Sequence, residues 1–246
     1  MLRSLSQPDG GRPDEENPYW ISFSDIMAGL LVIFILAALQ LILQITQQQE
    51  EIDAAIKEIE KANQVRSELL SDVKTALEEQ GIKVEISDND SVLRIPSSTL
   101  NFASDRAQIP LDQRVVVERI GAALFDAITI SDRGALIDTI FVEGHTDGLP
   151  SRYKGVGNWL LSADRAVSVW RFWGESKSAS QLWTLENFRE EPMFSVSGYA
   201  ETRRVEKDDL TQPKLREKNR RIDLRFTMKQ PKKCEYRQAK GEKVIC

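Results

Sequence analysis

The chain has 246 residues, of which 41% are hydrophobic and 29% are charged, and its formal net charge is −5. That length accommodates one large domain, or one ordinary domain with additional segments. The acidic balance argues against an extended nucleic-acid-binding surface. A single histidine and two cysteines without a CxxC spacing argue against a metal site, and we expect no cofactor.

The N-terminal part predicts one membrane span. Residues 26–45 form an uncharged apolar run, IMAGLLVIFILAALQLILQI, which as a helix is roughly 30 Å long and matches the hydrocarbon core of a bilayer. We predict a short cytoplasmic segment over 1–17 and an uncleaved membrane helix over 18–45. Arg3 and Arg12 precede the run and no Lys or Arg follows until Lys57, which favours a cytoplasmic N-terminus, an inner-membrane location and a periplasmic remainder.

Asp25 lies just before this apolar run. Asn17 and Pro18 form a helix-start signal, which would place Asp25 about two turns inside the helix. An acid at that depth is costly unless it is neutral, paired or hydrated, and this favours a proton or ion carrier. The alternative is that Ser24 or Asp25 caps the helix at the membrane surface. Ser22 and Ser24 are either neighbours of the bound ion or simply bond back to the helix.

Residues 46–81 predict a helical linker without proline, and without glycine before Gly81, which we expect to end the helix. Apolar residues recur three and four positions apart and form a stripe along one face. This stripe favours a parallel coiled-coil dimer with a second copy of the chain. The alternative is a helix that lies on the chain's own periplasmic domain. The stripe consists of Ile52, Ile56, Ile59, Ala62, Val65, Leu69, Val73 and Leu77.

Residues 82–228 predict an α/β domain. Two short alternating runs, 83–86 and 92–95, flank Asp88-Asn89-Asp90 and indicate a β-hairpin. Further strands are predicted over 136–142, 193–199 and 221–227, and helices over 112–128 and from Asn158 to about Trp173. The order of elements is ββαβαβ(α)β, which is typical of a layered α/β sandwich.

A C-terminal tail follows over 229–246. It contains Cys234 and Cys246, which close a small disulfide loop if this part lies outside the cytoplasm, or else remain two free thiols.

Four strings in this α/β region carry a family resemblance: VEGHTD, NWLLSADRA, SGY and REKNRRIDL. In this order they resemble the OmpA-like peptidoglycan-binding domain over roughly residues 83–228. The resemblance implies an OmpA-like βαβαβ sandwich. The string NFASDRAQI is similar to the family's F-x-x-G-x-A-x-I segment, but it has Ser104-Asp105 where a small residue and glycine are usual. We expect this departure not to touch the ligand loop.

The resemblance also implies a ligand. In the family, the residues that match Asp147 and Arg165 hold the two ends of diaminopimelate in the peptidoglycan stem peptide, with a carboxylate for the ammonium and a guanidinium for the carboxylate. Asn158 and Leu161 share a helix face with Arg165, and Asn158 is expected to cap that helix. The alternative is that Asp147 and Arg165 pair with each other. Arg216, Asn219 and Arg220 are candidates for a second layer of residues around the ligand, or else they belong to an ordinary solvated turn.

The layout as a whole resembles the MotB-type stator subunit of ion-driven motors. In that family the aspartate matching Asp25 carries the ion, and two such chains pass through a ring of MotA-like subunits. The start YWISFSDIMAGLL is more similar to ZorB, the MotB-like subunit of the Zorya anti-phage defence system, whose ring subunits are ZorA-like. Alternatives are a flagellar-type stator and a passive membrane-to-wall tether. A wall hydrolase is disfavoured, so the chain is not expected to be an enzyme.

Overall fold

The chain divides into two compact units, Met1–Ala54 and Ala55–Cys246, and a computed structural model describes residues 18–231 of it. The predicted cytoplasmic segment and the proposed disulfide between Cys234 and Cys246 therefore lie outside the described residues.

The first unit contains the beginning of helix α1, Pro18–Glu79. By length and composition, this helix is apolar enough to cross a membrane, and its large apolar side chains from Ile26 to Ile45 are exposed. Because α1 begins at Pro18, Ser24 and Asp25 lie inside the helix rather than at its cap position. The capping alternative is therefore wrong.

The second unit contains the end of α1, and here the linker prediction needs a correction. Ala62, Leu69, Leu70, Val73 and Leu77 are buried in the core of the α/β domain, so this part of the stripe packs on the chain's own domain. The physical reason is that the apolar side chains of residues 62–77 can be buried against the core of the domain that follows them in the same chain.

The first part of the stripe behaves differently. Ile52, Ile56 and Ile59 remain exposed, so a coiled-coil seam is confined to these positions and stays a prediction.

Polar contacts hold the end of α1 on the α/β domain. The Arg133 guanidinium pairs with Asp72 at 2.7 Å, and the Arg66 Nε donates to the backbone oxygen of Asp90 at 2.7 Å.

After α1, the chain forms an α/β domain whose elements confirm the predicted order. Gly81 adopts a φ of +74° just after the helix end, as expected. The strands are β1 (Glu85–Ser87), β2 (Val92–Pro96), β3 (Ile137–His145), β4 (Phe194–Gly198) and β5 (Arg221–Met228). The further helices are α2 (Arg114–Thr129), α3 (Asn158–Glu175) and α4 (Pro213–Asn219).

The five strands form one sheet in the order β1-β2-β5-β3-β4. Strands β3 and β4 are parallel and are connected through α3, whereas β5 pairs antiparallel with both β2 and β3. This topology brings the end of β3 beside the start of β5, with His145 opposite Arg221. Residues 76 positions apart are therefore neighbours, which positions the site described below.

The two faces of the sheet differ in chemistry because side chains alternate along each strand. On β5, Ile222, Leu224, Phe226 and Met228 belong to the hydrophobic core, whereas Arg221 and Asp223 belong to the opposite, charged face. Helix α3 lies very close to the core side of β3. A Cβ on Gly144 would collide with the backbone oxygen of Ser162, so glycine is required at this position of the VEGHTD string.

Residues 174–192 form a compact extension on this scaffold. A short 3₁₀ helix, Ser180–Thr184, buries Leu182. Trp183 stacks on Trp170 of α3 with ring centroids 5.1 Å apart, and a Cβ on Gly174 would collide with the Trp183 ring. The extension therefore packs on the C-terminal part of α3.

Candidate functional site

A cavity of about 370 Å³ lies where the loop after β3, the start of α3 and the segment before α2 meet. It contains the four residues predicted from the ligand motif and also Arg220. We call it the Asp147–Arg165 pocket, and it is lined by Asn101, Phe102, Ala103, Ser104, Asp105, Thr146, Asp147, Leu149, Pro150, Ser151, Asn158, Leu161, Arg165 and Arg220. The structure thus brings together residues from four separate segments of sequence.

Arg165 forms one wall of this pocket and is only 3% exposed. Its Nε donates to the backbone oxygen of Arg106 at 3.0 Å, and its Nη2 donates to that of Ala103 at 3.2 Å. The guanidinium also lies over the Phe102 ring, 5.1 Å from its centroid. Within residues 18–231 no carboxylate forms an ion pair with it. Arg165 is therefore a buried cation held by carbonyl groups.

The pKa of Arg165 reflects this environment. Burial, with a smaller contribution from the neighbouring Arg220 guanidinium, lowers the pKa of Arg165 from 12.5 to about 10. Desolvation disfavours the charged form, and an anionic ligand at the guanidinium would compensate for it. At neutral pH the side chain stays charged, so the pocket presents a positive group that forms no ion pair with any carboxylate of residues 18–231.

Asp147 also lines the pocket and is 8% exposed. Its Oδ2 accepts a hydrogen bond from Arg220 Nη1 at 3.1 Å, and its Oδ1 accepts one from the backbone N–H of Leu149 at 3.1 Å. The alternative in which Asp147 and Arg165 pair directly is therefore wrong. Arg220 was expected in a second layer of residues around the ligand. It instead lines the pocket and is the counterion of Asp147.

The other two residues expected in that second layer, Asn219 and Arg216, do not line the pocket. Asn219 is fully buried, and its side chain bonds to the backbone at Val205 and Glu206. It also donates to Asp209, whose carboxylate accepts the backbone N–H of Gly148 at 2.7 Å. Asn219 thus supports the loop that carries Asp147.

The expectation that Asn158 caps α3 is wrong. Gly157 occupies the cap position with a φ of +88°, where a Cβ would also come within 2.9 Å of the Ser151 backbone oxygen. Asn158 is the first helical residue, and its Nδ2 donates to the backbone oxygen of Leu149 at 2.9 Å. Asn158 therefore ties the start of α3 to the loop that follows Asp147.

Several pocket residues were missed from the sequence. The Thr146 hydroxyl is buried and has no hydrogen-bond partner among the described residues. Asp105 lines the pocket and accepts a hydrogen bond from the Ser151 hydroxyl at 2.6 Å. The expectation that the Ser104-Asp105 departure does not touch the ligand loop is therefore wrong. The signal for Thr146 was its place in the VEGHTD string, and for Asp105 it was the departure from glycine within NFASDRAQI.

A second cluster of charged side chains lies on the opposite, charged face of the sheet. His145, Glu143 and Asp223 are each 1% exposed, and the His145 Nε2 lies 3.5 Å from Asp223 Oδ2. The Asp223 carboxylate forms ion pairs with Arg94 and Arg221. Burial, with a contribution from Arg221, lowers the pKa of His145 from 6.5 to about 3. His145 is therefore neutral near pH 7.

Residues 101–220 match the model of a protein family described as the OmpA family. The α/β domain has an OmpA-like fold. The matched residues include the whole Asp147–Arg165 pocket, so this pocket belongs to the OmpA-like domain itself. No curated protein matches the chain.

Several solved structures are similar to this chain. A protein described as MotB-like from Desulfovibrio vulgaris is 21% identical, with a TM-score of 0.51, and the match covers 72% of this chain and 99% of that one. The cell wall anchor of the T6SS from Pseudomonas aeruginosa is 23% identical, covering 67% and 99% with a TM-score of 0.46. The periplasmic domain of Helicobacter pylori MotB is 24% identical, covering 59% and 80% with a TM-score of 0.41.

Proposed function

We propose that the chain is an ion-conducting, peptidoglycan-anchored subunit of a MotA/MotB-like inner-membrane motor. In this proposal the OmpA-like domain lies in the periplasm and binds the diaminopimelate of a stem peptide, which fixes the complex to the wall. Asp25 carries the proton, with Ser22 and Ser24 as its neighbours. Two copies of the chain pass through a ring of MotA-like subunits.

The observation that carries the wall-binding part is the unpaired, buried guanidinium of Arg165. A buried cation without a counterion is costly, and one guanidinium fork binds a carboxylate through two parallel hydrogen bonds. The Asp147 carboxylate and the unpartnered Thr146 hydroxyl line the same cavity. A ligand end that carries both an ammonium and a carboxylate complements these groups.

The motor part of the proposal is supported by the residues around the membrane span. Asp25 lies inside α1, about two turns from Pro18, where a carboxylate is a candidate for ion handling. The YWISFSDIMAGLL start favours a ZorB-like role in anti-phage defence. A flagellar-type stator has the same site residues, and a passive tether has no use for Asp25.

The wall-binding part is tested by changing one negative and one positive side chain of the pocket. For the full-length chain in detergent, we expect Asp147→Asn and Arg165→Lys each to weaken binding of a diaminopimelate-containing tetrapeptide about tenfold to a hundredfold, because each removes a charge-assisted or bidentate hydrogen bond. Isothermal titration calorimetry measures the affinity, and co-sedimentation with purified sacculi measures wall binding.

Asp112→Asn serves as the matched control, because Asp112 is an exposed acid of the same domain outside the pocket. It should bind as the wild type does. Wild-type affinity in both pocket variants, with their thermal unfolding unchanged, would exclude the Asp147–Arg165 pocket as the wall-binding site.

A further inference from the structure

Asp105 has an unusual backbone conformation at the edge of the Asp147–Arg165 pocket. Its φ is +50°, in the left-handed region that glycine adopts freely and other residues rarely adopt. Within NFASDRAQI it occupies the position where the family pattern has glycine. Glycine would relieve this strain, and aspartate tolerates the region better than most residues, so the side chain at this position is available for contacts that glycine cannot make.

The contacts of Asp105 leave most of its carboxylate free. Its Oδ1 accepts a hydrogen bond from the Ser151 hydroxyl at 2.6 Å. Within residues 18–231 the Asp105 carboxylate forms no ion pair. Asp147, in comparison, is already occupied at both oxygens, by Arg220 and by the N–H of Leu149. The acceptor with the greater free capacity in the pocket is therefore Asp105 rather than Asp147.

The charges of the pocket form a matched set. Two carboxylates, Asp105 and Asp147, and two guanidinium groups, Arg165 and Arg220, line one cavity. Among these four only Asp147 and Arg220 form an ion pair. Asp105 and Arg165 form no ion pair among the described residues, and they are thus available for a ligand with one positive and one negative group. The buried, unpartnered Thr146 hydroxyl in the same cavity also indicates a polar ligand.

We propose that Asp105 is a specificity-determining residue that binds the ammonium of the zwitterionic end of diaminopimelate, while Arg165 binds its carboxylate. This inference rests on the proposed wall-binding function. It assigns the recognition of the ammonium to a residue outside the ligand motif. Asp147, neutralised by Arg220, then holds the loop and contributes the second acceptor.

The test uses two substitutions that the backbone at this position tolerates. Asp105→Asn keeps an acceptor for Ser151 and tolerates the left-handed conformation, but it removes the charge. Asp105→Gly removes the side chain and the strain together. Asn89→Gly is the matched control, because Asn89 has a similar φ of +53° in the β1–β2 turn, outside the pocket.

Two peptide probes separate charge recognition from loop support. One tetrapeptide contains diaminopimelate, and the other contains 2-aminopimelate, which lacks the distal ammonium. For the full-length chain in detergent, we expect Asp105→Asn and Asp105→Gly to bind the first peptide about tenfold more weakly than the wild type. Binding of the second peptide should be the same in all variants. Thermal unfolding of Asp105→Gly should occur at the wild-type temperature or higher, as for Asn89→Gly.

The possible outcomes are distinguishable. Equal loss of affinity for both peptides would make Asp105 a residue that only supports the loop through Ser151, and would overturn the inference. Wild-type affinity of both Asp105 variants for the diaminopimelate peptide would also overturn it, with the proposed function intact. Absence of binding by the wild type would overturn the proposed function and this inference together.

Discussion

His145 illustrates how a single side chain in a motif can serve the fold rather than the ligand. It follows Gly144 in the VEGHTD string, but its ring stacks on Tyr199 with centroids 5.4 Å apart and does not line the Asp147–Arg165 pocket. The carboxylates of Glu143 and Asp223 and the guanidinium groups of Arg94, Arg203 and Arg221 surround it. Burial keeps it neutral among these charges.

This environment predicts a pH dependence of stability. In the unfolded chain His145 takes up a proton as the pH falls through 6.5, whereas in the folded chain its pKa is about 3. Stability is therefore complete above pH 6.5 and decreases below it, by about 2 kcal/mol between pH 7 and pH 5. Denaturant unfolding at a series of pH values measures the slope.

The variant His145→Gln provides the control, since the chain has one histidine and carboxylates whose pKa is lowered, such as Asp223, act at lower pH. Whatever its absolute stability, His145→Gln should show a flat profile between pH 5 and pH 7. An unchanged slope in this variant would contradict the explanation.

At the scale of elements, helix α1 has two apolar surfaces in different environments. The side chains of Leu69 and Val73 are buried in the OmpA-like domain, whereas Ile52, Ile56 and Ile59 are exposed. Their equal spacing in the sequence does not distinguish these two groups. The second group is the surface that the proposed dimer would bury.

The two surfaces should separate experimentally. Leu69→Ala is expected to destabilise the OmpA-like domain by about 2–5 kcal/mol, because it leaves a cavity in a packed core, and to leave self-association unchanged. The triple change of Ile52, Ile56 and Ile59 to serine should weaken self-association but alter domain stability by less than about 0.5 kcal/mol.

Thermal unfolding measures the first effect, and analytical ultracentrifugation in detergent measures the second. If the triple variant self-associates as strongly as the wild type, the proposed seam at Ile52–Ile59 is wrong.

At the scale of the whole molecule, the proposed function requires both units. The first unit contains Asp25 inside a helix that is long and apolar enough to cross a membrane. The second contains the Asp147–Arg165 pocket. A motor subunit needs a carboxylate that is loaded and unloaded, and it needs an attachment that resists the resulting force.

Substitution of Asp25 tests this division. In cells that also express the MotA-like partner subunits, Asp25→Asn should abolish proton flux and biological activity, because the amide cannot carry a proton across a potential that contributes about 2.3 kcal/mol per charge at 100 mV. A pH-sensitive dye in vesicles measures the flux. Expression and sacculus binding should remain at wild-type levels.

Asp53→Asn is the control, since Asp53 is an exposed acid of the same helix beyond the apolar run. Retention of full proton flux by Asp25→Asn would rule out the carrier role and would favour the passive tether.

Local pattern in the sequence was sufficient for most of the secondary structure and for the long apolar helix that could cross a membrane. The apolar run over 26–45, the alternation in Arg221–Met228 and the helical stripe in Arg114–Thr129 are properties of neighbouring residues, so periodicity predicts them. The ordered motifs also predicted which residues meet in one pocket. Asp147, Asn158, Leu161 and Arg165 do line the same cavity.

Pairing inside that pocket was decided only by the tertiary structure. Asp147 pairs with Arg220, 73 positions away, and Ser151 bonds to Asp105, 46 positions away. Sequence spacing carries no information on such partners, because the packing of the sheet and of α3 determines them. For Asp25, in contrast, the sequence alone was sufficient to single out the residue, because an uncharged apolar run follows it. The tertiary structure added that Asp25 lies within a helix that begins at Pro18.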